Sequence, residues 1–437
     1  MGTGMKEIRA TYKEMDIGVL PVGWEVKRII DLADKKDRYS YTGGPFGSDL
    51  KSSDYTAKGV RVIQLQNIGD GKFNDISKIF TSEEKANELL NSNVFPGDLI
   101  LAKMADPVAR ACKIPSYHEK YIMCSDGIRL KVDPLKFDVD YCLFSINSRY
   151  FRKQAIENST GTTRLRIGLT ALKELKILVP PLPEQHLIAK NLTAVNDHLE
   201  KLNAIIADTQ LLKKAMMQSL LTRGIGHTEF KDTVIGQIPK TWEVVELKDI
   251  ADIKGGKRLP KGHALVDEDS GFPYIRVADM SKGSIDDSDI KYVPVEIEPV
   301  IKNYKISKDD LFISVAGTLG IVGSVPEKLD NANLTENANK ICNIKCDKNY
   351  LMYYLQSQYI QNVISNERTV GAQPKLAIAR IQKFNICLPK KNEQHRIAEI
   401  LFTIDDRLGL YEKEKENFAQ LKKGLMEQLL TGKIRVK

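Results

Sequence analysis

The chain has 437 residues, 42% hydrophobic and 28% charged, enough for two or three domains with their own cores and too apolar for disorder to be the default. It has no run near the roughly eighteen apolar residues of a membrane helix and no signal-peptide-like apolar stretch near its start, so a soluble, cytoplasmic protein with no membrane partner is expected. Lys and Arg number 65 against 57 Asp and Glu, a net +8 that suits a polyanionic partner but is modest for this size; the six cysteines include no CxxC pair and read as reduced, mostly buried thiols.

In chain order, the sequence repeats itself. Ile17-Gly18-Val19-Leu20-Pro21-Val22-Gly23-Trp24-Glu25-Val26, leading to Asp31-Leu32-Ala33-Asp34, returns as Ile235-Gly236-Gln237-Ile238-Pro239-Lys240-Thr241-Trp242-Glu243-Val244, leading to Asp249-Ile250-Ala251-Asp252. The chain's 2 tryptophans occupy matched places. In the first copy the apolar runs 60–65, 99–102, 128–132 and 177–179 read as strands, with counterparts at 274–277, 311–315, 341–344 and 386–388. Asp138 and Asp347 are placed to cap amphipathic helices running to about Asn158 and Asn366. Each copy then ends in a long helical segment, and from Glu184-Gln185-His186 and Glu393-Gln394-His395 onward 15 of 39 aligned positions are identical. The expected fold class is α/β: two similar mixed α/β globules, each followed by a long helix, produced by domain duplication. The expected bounds are 11–182 for the first globule, 183–225 for the central helix, 226–391 for the second globule and 392–437 for the distal helix.

Ile188, Leu192, Val195, Leu199, Leu202, Ile206, Thr209, Lys213, Met216 and Leu220 follow steps of four and three, the seam of a coiled coil. Ile397, Leu401, Ile404, Leu408, Tyr411, Lys415, Phe418, Lys422, Leu425 and Leu429 repeat that register. A helix of about 57 Å with so long an apolar stripe needs a partner, and the natural one is the other helix, the alternative being that each helix packs on its own globule. Pro183 fits a helix start, Asn392 a cap and Gly432 a position past a helix end. Lys213 and Lys422 fall on the seam, where a charge costs stability but can fix register, or marks splaying or another protein, the preferred reading, or else snorkels to solvent. The helical stretches 184–221 and 393–430 sum to −2, so the remainder carries +10 and the basic excess belongs to the globules.

The usual catalytic signatures do not assemble. Gly43-Gly44-Pro45-Phe46-Gly47 lacks dinucleotide-binding spacing and reads as a turn; Lys254-Gly255-Gly256-Lys257-Arg258 is no phosphate-binding loop and reads as a basic turn, on phosphate or simply solvated. His186 and His395 lack a second ligand one turn on and suit polar capping or partner contact; Cys342 and Cys346 suit packing. An Asn/Asp-Pro-Pro-aromatic methyltransferase element, a nuclease carboxylate-lysine cluster and a Ser-His-Asp set are all missing, so no enzyme is expected.

With the Gly18, Pro21, Trp24 and Gly236, Pro239, Trp242 openings, Pro181-Leu182-Pro183-Glu184-Gln185 and the endings Lys213 to Leu221 and Lys422 to Leu430 in view, the chain resembles the specificity subunit of type I restriction-modification enzymes. Pro389-Lys390-Lys391-Asn392-Glu393-Gln394 departs from the proline-rich form. The resemblance implies two target-recognition domains, each reading one half of a split double-stranded DNA site, and two helices packed antiparallel as a spacer. It also implies two modification subunits carrying S-adenosylmethionine and restriction subunits using ATP and Mg, with no cofactor in this chain.

DNA contacts are expected from polar groups at base edges and cations on phosphates. The first-domain candidates are Tyr39, Tyr41, Thr42, Lys51, Gln64, Gln66, Asn67, Lys103, Arg110, Thr162, Thr163, Arg164 and Arg166. Those of the second are Lys254, Lys257, Arg258, Lys261, Arg276, Asp279, Thr318, Lys340, Gln373 and Lys375, with Thr162-Thr163-Arg164 and Gln373-Pro374-Lys375 at comparable distances before the helices. The competing readings are a coiled-coil assembly scaffold without sequence readout, and an unrecognised nuclease or methyltransferase.

Overall fold

The structure is a computed structural model that describes residues 12–15, 18–104, 106–366 and 375–436. The chain divides into two compact units, Met1–Asn203 with Lys413–Lys437, and Ala204–Glu412. The boundary thus falls within each long helix, not at its end: a unit holds its globule, half of the helix that follows it and half of the other helix.

In the first unit, Leu99–Ala102 lies between Ala111–Lys113 and Gly127–Leu130 in a four-stranded antiparallel sheet closed by Tyr41–Gly43. Leu99 and Leu101 join one apolar cluster with Ile128, Leu130 and Phe151, while Ile100 and Ala102 join another with Ile63 and Tyr121. Both faces of this strand are buried, which is why its sequence shows no alternation. A five-stranded sheet includes Val60–Ile63 parallel to Tyr121–Met123. The second unit repeats the plan: Leu311–Ser314 sits between Val322–Ser324 and Ala338–Cys342, with Asp252–Gly255 beyond. Leu311 and Ile313 face one cluster and Phe312 the other.

Asp138 and Asp347 do cap helices, accepting from the Tyr141 and Tyr350 amides. Neither helix runs on as expected. Val139–Ile146 gives way to Arg149–Glu157, and Lys348–Gln356 to Gln358–Asn366, because Ser148 and Ser357 accept from the amides of Phe151 and Ile360 and start a second helix.

The Glu-Gln-His motif clamps each globule to its helix. Glu184 and Glu393 accept from the indoles of Trp24 and Trp242 at 3.3 and 3.1 Å, and both tryptophans are fully buried. Gln185 and Gln394 take the amides of Asp138 and Asp347 and donate to the Pro180 and Pro389 carbonyls. His186 and His395 lie 2.6 and 3.4 Å from those capping carboxylates, the polar capping expected of them. The second carboxylate partner differs: Arg435 grips Glu184 with two nitrogens, whereas His227 meets Glu393 at 2.8 Å.

The central helix spans Leu182–Arg223 and the distal helix Lys391–Leu429. Asn392 therefore lies inside the first turn and is not the cap; the Lys390 carbonyl receives the Glu393 and Gln394 amides instead. Gly432 adopts φ +72° past the helix end, as glycine allows. Of the twenty seam positions all but Lys415 are buried or half-buried. Within the first unit the contacts run antiparallel: Glu184 meets Arg435, Asn196 meets Lys422, and His198 meets Phe418 and Glu414. The second unit does the same, Lys213 meeting Asp405 while Leu220 joins Ile397 and Leu401.

Of the readings open for the seam lysines, splaying is the one that the structure overturns. Neither splays the pair: Lys213 binds Asp405 at 2.5 Å over the Tyr353 ring, and Lys422 donates to Asn196 at 2.6 Å. Asp405 and Asn196 occupy matched positions in the repeat, so each unit closes its helix pair with the equivalent polar bond.

Candidate nucleic-acid interface

In the first unit, loops far apart in sequence meet at one end of the four-stranded sheet. The Gly44 amide donates to Gly127 O, the Lys103 amide to Asp126 O, and the Ile167 amide to Lys103 O. In the second unit the Gly256 amide donates to Ala338 O, the Val315 amide to Asn337 O, and the Leu376 amide to Val315 O. The two cradles match bond for bond. Glycine is required in both, since a Cβ on Gly44 or Gly256 would stand 1.8 or 2.1 Å from the carbonyl oxygen of Cys124 or Thr335.

This register pairs Thr42 with Lys254, Lys103 with Val315 and Arg166 with Lys375. The Cys124 and Thr335 amides, bonded to the Ile63 and Ile275 carbonyls, pair Gln64 with Arg276 and Asn67 with Asp279. Backbone geometry is shared while side-chain chemistry is not.

The cradle gathers several expected residues. Thr162, Thr163 and Arg164 are exposed on a loop closed by reciprocal backbone bonds between Thr160 and Arg166. Arg166 is exposed and rests on Asp126 at 2.8 Å; Lys103 donates to the Ser125 carbonyl at 2.9 Å, and burial pushes its ammonium below the usual lysine range. Gln64 holds Gln66 and Ser77, leaving Gln66 exposed. In the second unit Lys254, Lys257, Arg258, Lys261, Thr318 and Lys375 are all exposed. Lys254 and Gly255 belong to the strand Asp252–Gly255, so the expected basic turn begins as a strand end. Gln373 lies outside the described residues. Tyr39 is half-buried in the turn whose carbonyl Arg129 binds, and Lys51 is exposed beside the turn Ser52–Asp54.

Other expected contacts face inward. Asn67 is fully buried, accepting from the Gln64 amide and donating to the Asn74 and Ile76 carbonyls. Asp279 does the same work with the Arg276 amide and guanidinium, which also holds Arg276 against Asp289. Arg110 spends its guanidinium on the carbonyls of Leu65, Ile68 and Asp106. The Tyr41 hydroxyl donates to Leu169 O, and its ring lies on the core. Lys340 bonds Lys305 O and stands 3.5 Å from Asp310, the place that Arg129 takes with Asp98 in the first unit. These side chains, with Arg276, fix loops and sheets, their polar groups bonded within the fold. Sequence reasoning passed over Phe46, whose ring stands 82% exposed beside the first cradle. Among the described residues no cluster of His, Cys, Asp and Glu could hold a metal ion, and no helix is long and apolar enough to cross a membrane.

Residues 21–208 and 239–419 each match the model of the type I restriction modification DNA specificity domain, one match per repeat. The chain belongs to the type I restriction-modification DNA specificity family. Within that family it is 29% identical to the putative MjaX specificity subunit of Methanocaldococcus jannaschii, over 98% of this chain and 97% of the relative. It is 27% identical to the MjaVIII specificity subunit of the same organism, over 98% and 96%, and 22% identical to the EcoKI specificity subunit of Escherichia coli, over 96% and 90%. In fold it is similar to the type I S subunit of M. genitalium, with TM-score 0.59, 18% identity and coverage of 93% of this chain and 96% of that one.

Proposed function

We propose that the chain is the non-catalytic sequence-selecting subunit of a type I restriction-modification assembly, each unit reading one half of a split, asymmetric duplex site. The observation that carries this reading is the doubled cradle: one backbone arrangement, built twice, with Thr42 and the exposed Arg166 in one copy where the other has the exposed Lys254 and Lys375. Identical scaffolds with unlike polar and cationic groups suit two unlike half-sites, cations positioning the phosphates and variable groups meeting the bases. The paired helices serve as the spacer and as the docking surface for two modification subunits. Leu211, Leu212, Phe402 and Leu410, all on the helix halves of the second unit, stand 53–67% exposed and supply apolar side chains to such a surface. Methyl transfer with S-adenosylmethionine, and ATP- and Mg-dependent restriction, belong to the partners.

Duplex binding by the full chain with its modification subunits, titrated against salt, tests the function. Replacing Lys254, Lys257 and Arg258 together with alanine should weaken binding and flatten log Kd against log salt by up to about three units. Unchanged affinity would remove the second cradle from the interface, and equal affinity for every duplex would favour an assembly scaffold.

A further inference from the structure

The loop beyond Gly43-Gly44 buries Pro45 and turns Phe46 outward. Gly44 is bonded to Gly127 O at 2.9 Å, and beyond it the chain turns on itself, the Asp49 amide donating to Phe46 O at 2.9 Å. In the second unit the matching register places Arg258 two residues past Gly256, with its side chain 78% exposed. The matched backbone ends at this glycine, and the loops then part: the first carries an exposed Phe46, the second, tied back by the Lys257 amide to Leu334 O, an exposed Arg258 that stands 3.8 Å from Glu336.

We propose that Phe46 is a specificity-determining residue of the first unit, making apolar contact with a thymine 5-methyl group at a base edge. The inference rests on the DNA-reading function above. A phenyl ring offers neither hydrogen bond nor charge, so what it can distinguish among base edges is the thymine methyl; a guanidinium at the equivalent place favours guanine. Lys103, whose ammonium lies against Gly43, and Arg166, resting on Asp126, supply cations to the same cradle, and the turn that carries Phe46 is already closed by its own backbone bond. A ring held out on a rigid turn, with its counterpart also exposed but chemically different, is what a reading position requires.

The test takes duplexes carrying the half-site assigned to the first unit, with each thymine in turn replaced by deoxyuracil, titrated with the full chain in complex with its modification subunits. Wild type should lose roughly five- to twenty-fold at one such position. Phe46→Ala should lose a similar factor on thymine DNA and then cease to distinguish thymine from uracil there; Phe46→Leu, still apolar, should keep part of the discrimination. The inference is overturned if Phe46→Ala binds thymine DNA as wild type does, keeps the discrimination, or weakens equally on unrelated duplexes. It also fails if Phe46→Ala instead loosens the modification subunits. A wild-type complex that does not prefer its site to unrelated DNA would count against the reading function itself, a result separable from any behaviour of the variant.

Discussion

Glu184 shows how much one buried carboxylate can hold: the Trp24 indole on one side and two nitrogens of Arg435 on the other, at 5% exposure. Glu184→Ala would strip the Trp24 indole N–H of its acceptor and the Arg435 guanidinium of its carboxylate, and should cost about 2–4 kcal/mol in urea unfolding, with Glu393→Ala similar through Trp242 and His227. A loss below about 0.5 kcal/mol would show the clamp to be dispensable. The spacing of this motif was legible in the sequence, but its acceptor role was not, because Trp24 and Glu184 lie 160 residues apart. Asn67 and Asp279 illustrate the opposite limit. An amide or carboxylate that reads a base is chemically the same as one that closes a turn, and only burial separates them. Alanine at either should therefore lower the melting temperature and leave the salt slope unchanged, whereas Arg166→Ala or Lys375→Ala should reduce that slope by about one unit each and spare stability.

At the level of the elements, periodicity carried furthest. The four-three spacing located both long helices and their seams, since a repeated apolar stripe is a local signal that needs no knowledge of the partner. Leu192 and Leu401, fully buried on those seams, should each cost about 2–4 kcal/mol when cut to alanine. That Lys213 and Lys422 could fix the register was legible, but their partners were not, because Asp405 and Asn196 lie on the other helix and come into register only when the pair is antiparallel. Burial pushes the Lys422 ammonium below the usual lysine range. The unfolded chain then holds that proton more tightly than the folded one, so this residue's contribution to stability rises as pH climbs from the lowered value toward the ordinary lysine range. Lys422→Met should abolish that increment in thermal melts across the alkaline window, and an unchanged slope would contradict the buried charge. The helix breaks at Ser148 and Ser357 escaped the pattern because serine at a cap and serine within a helix look alike in sequence.

For the whole molecule, duplication was readable from the paired tryptophans and the repeated helices, and the basic excess outside the helices already pointed to the globules. The cradle was not readable, since Gly44, Lys103, Asp126 and Ile167 converge only through the fold of the sheet. If the helix pair sets the distance between half-sites, deleting one heptad from each helix should move them about 10 Å, or roughly three base pairs, closer; an unchanged spacing would end that role. The central claim, that two unlike readers on one chain select one split sequence, is met most directly by mapping N6-methyladenine across the genome of a host expressing this chain with its modification subunits. One asymmetric motif in two unequal parts separated by unread base pairs, lost when the chain is deleted, is the expected result. A continuous or palindromic motif, or a methylation pattern indifferent to the deletion, would contradict it.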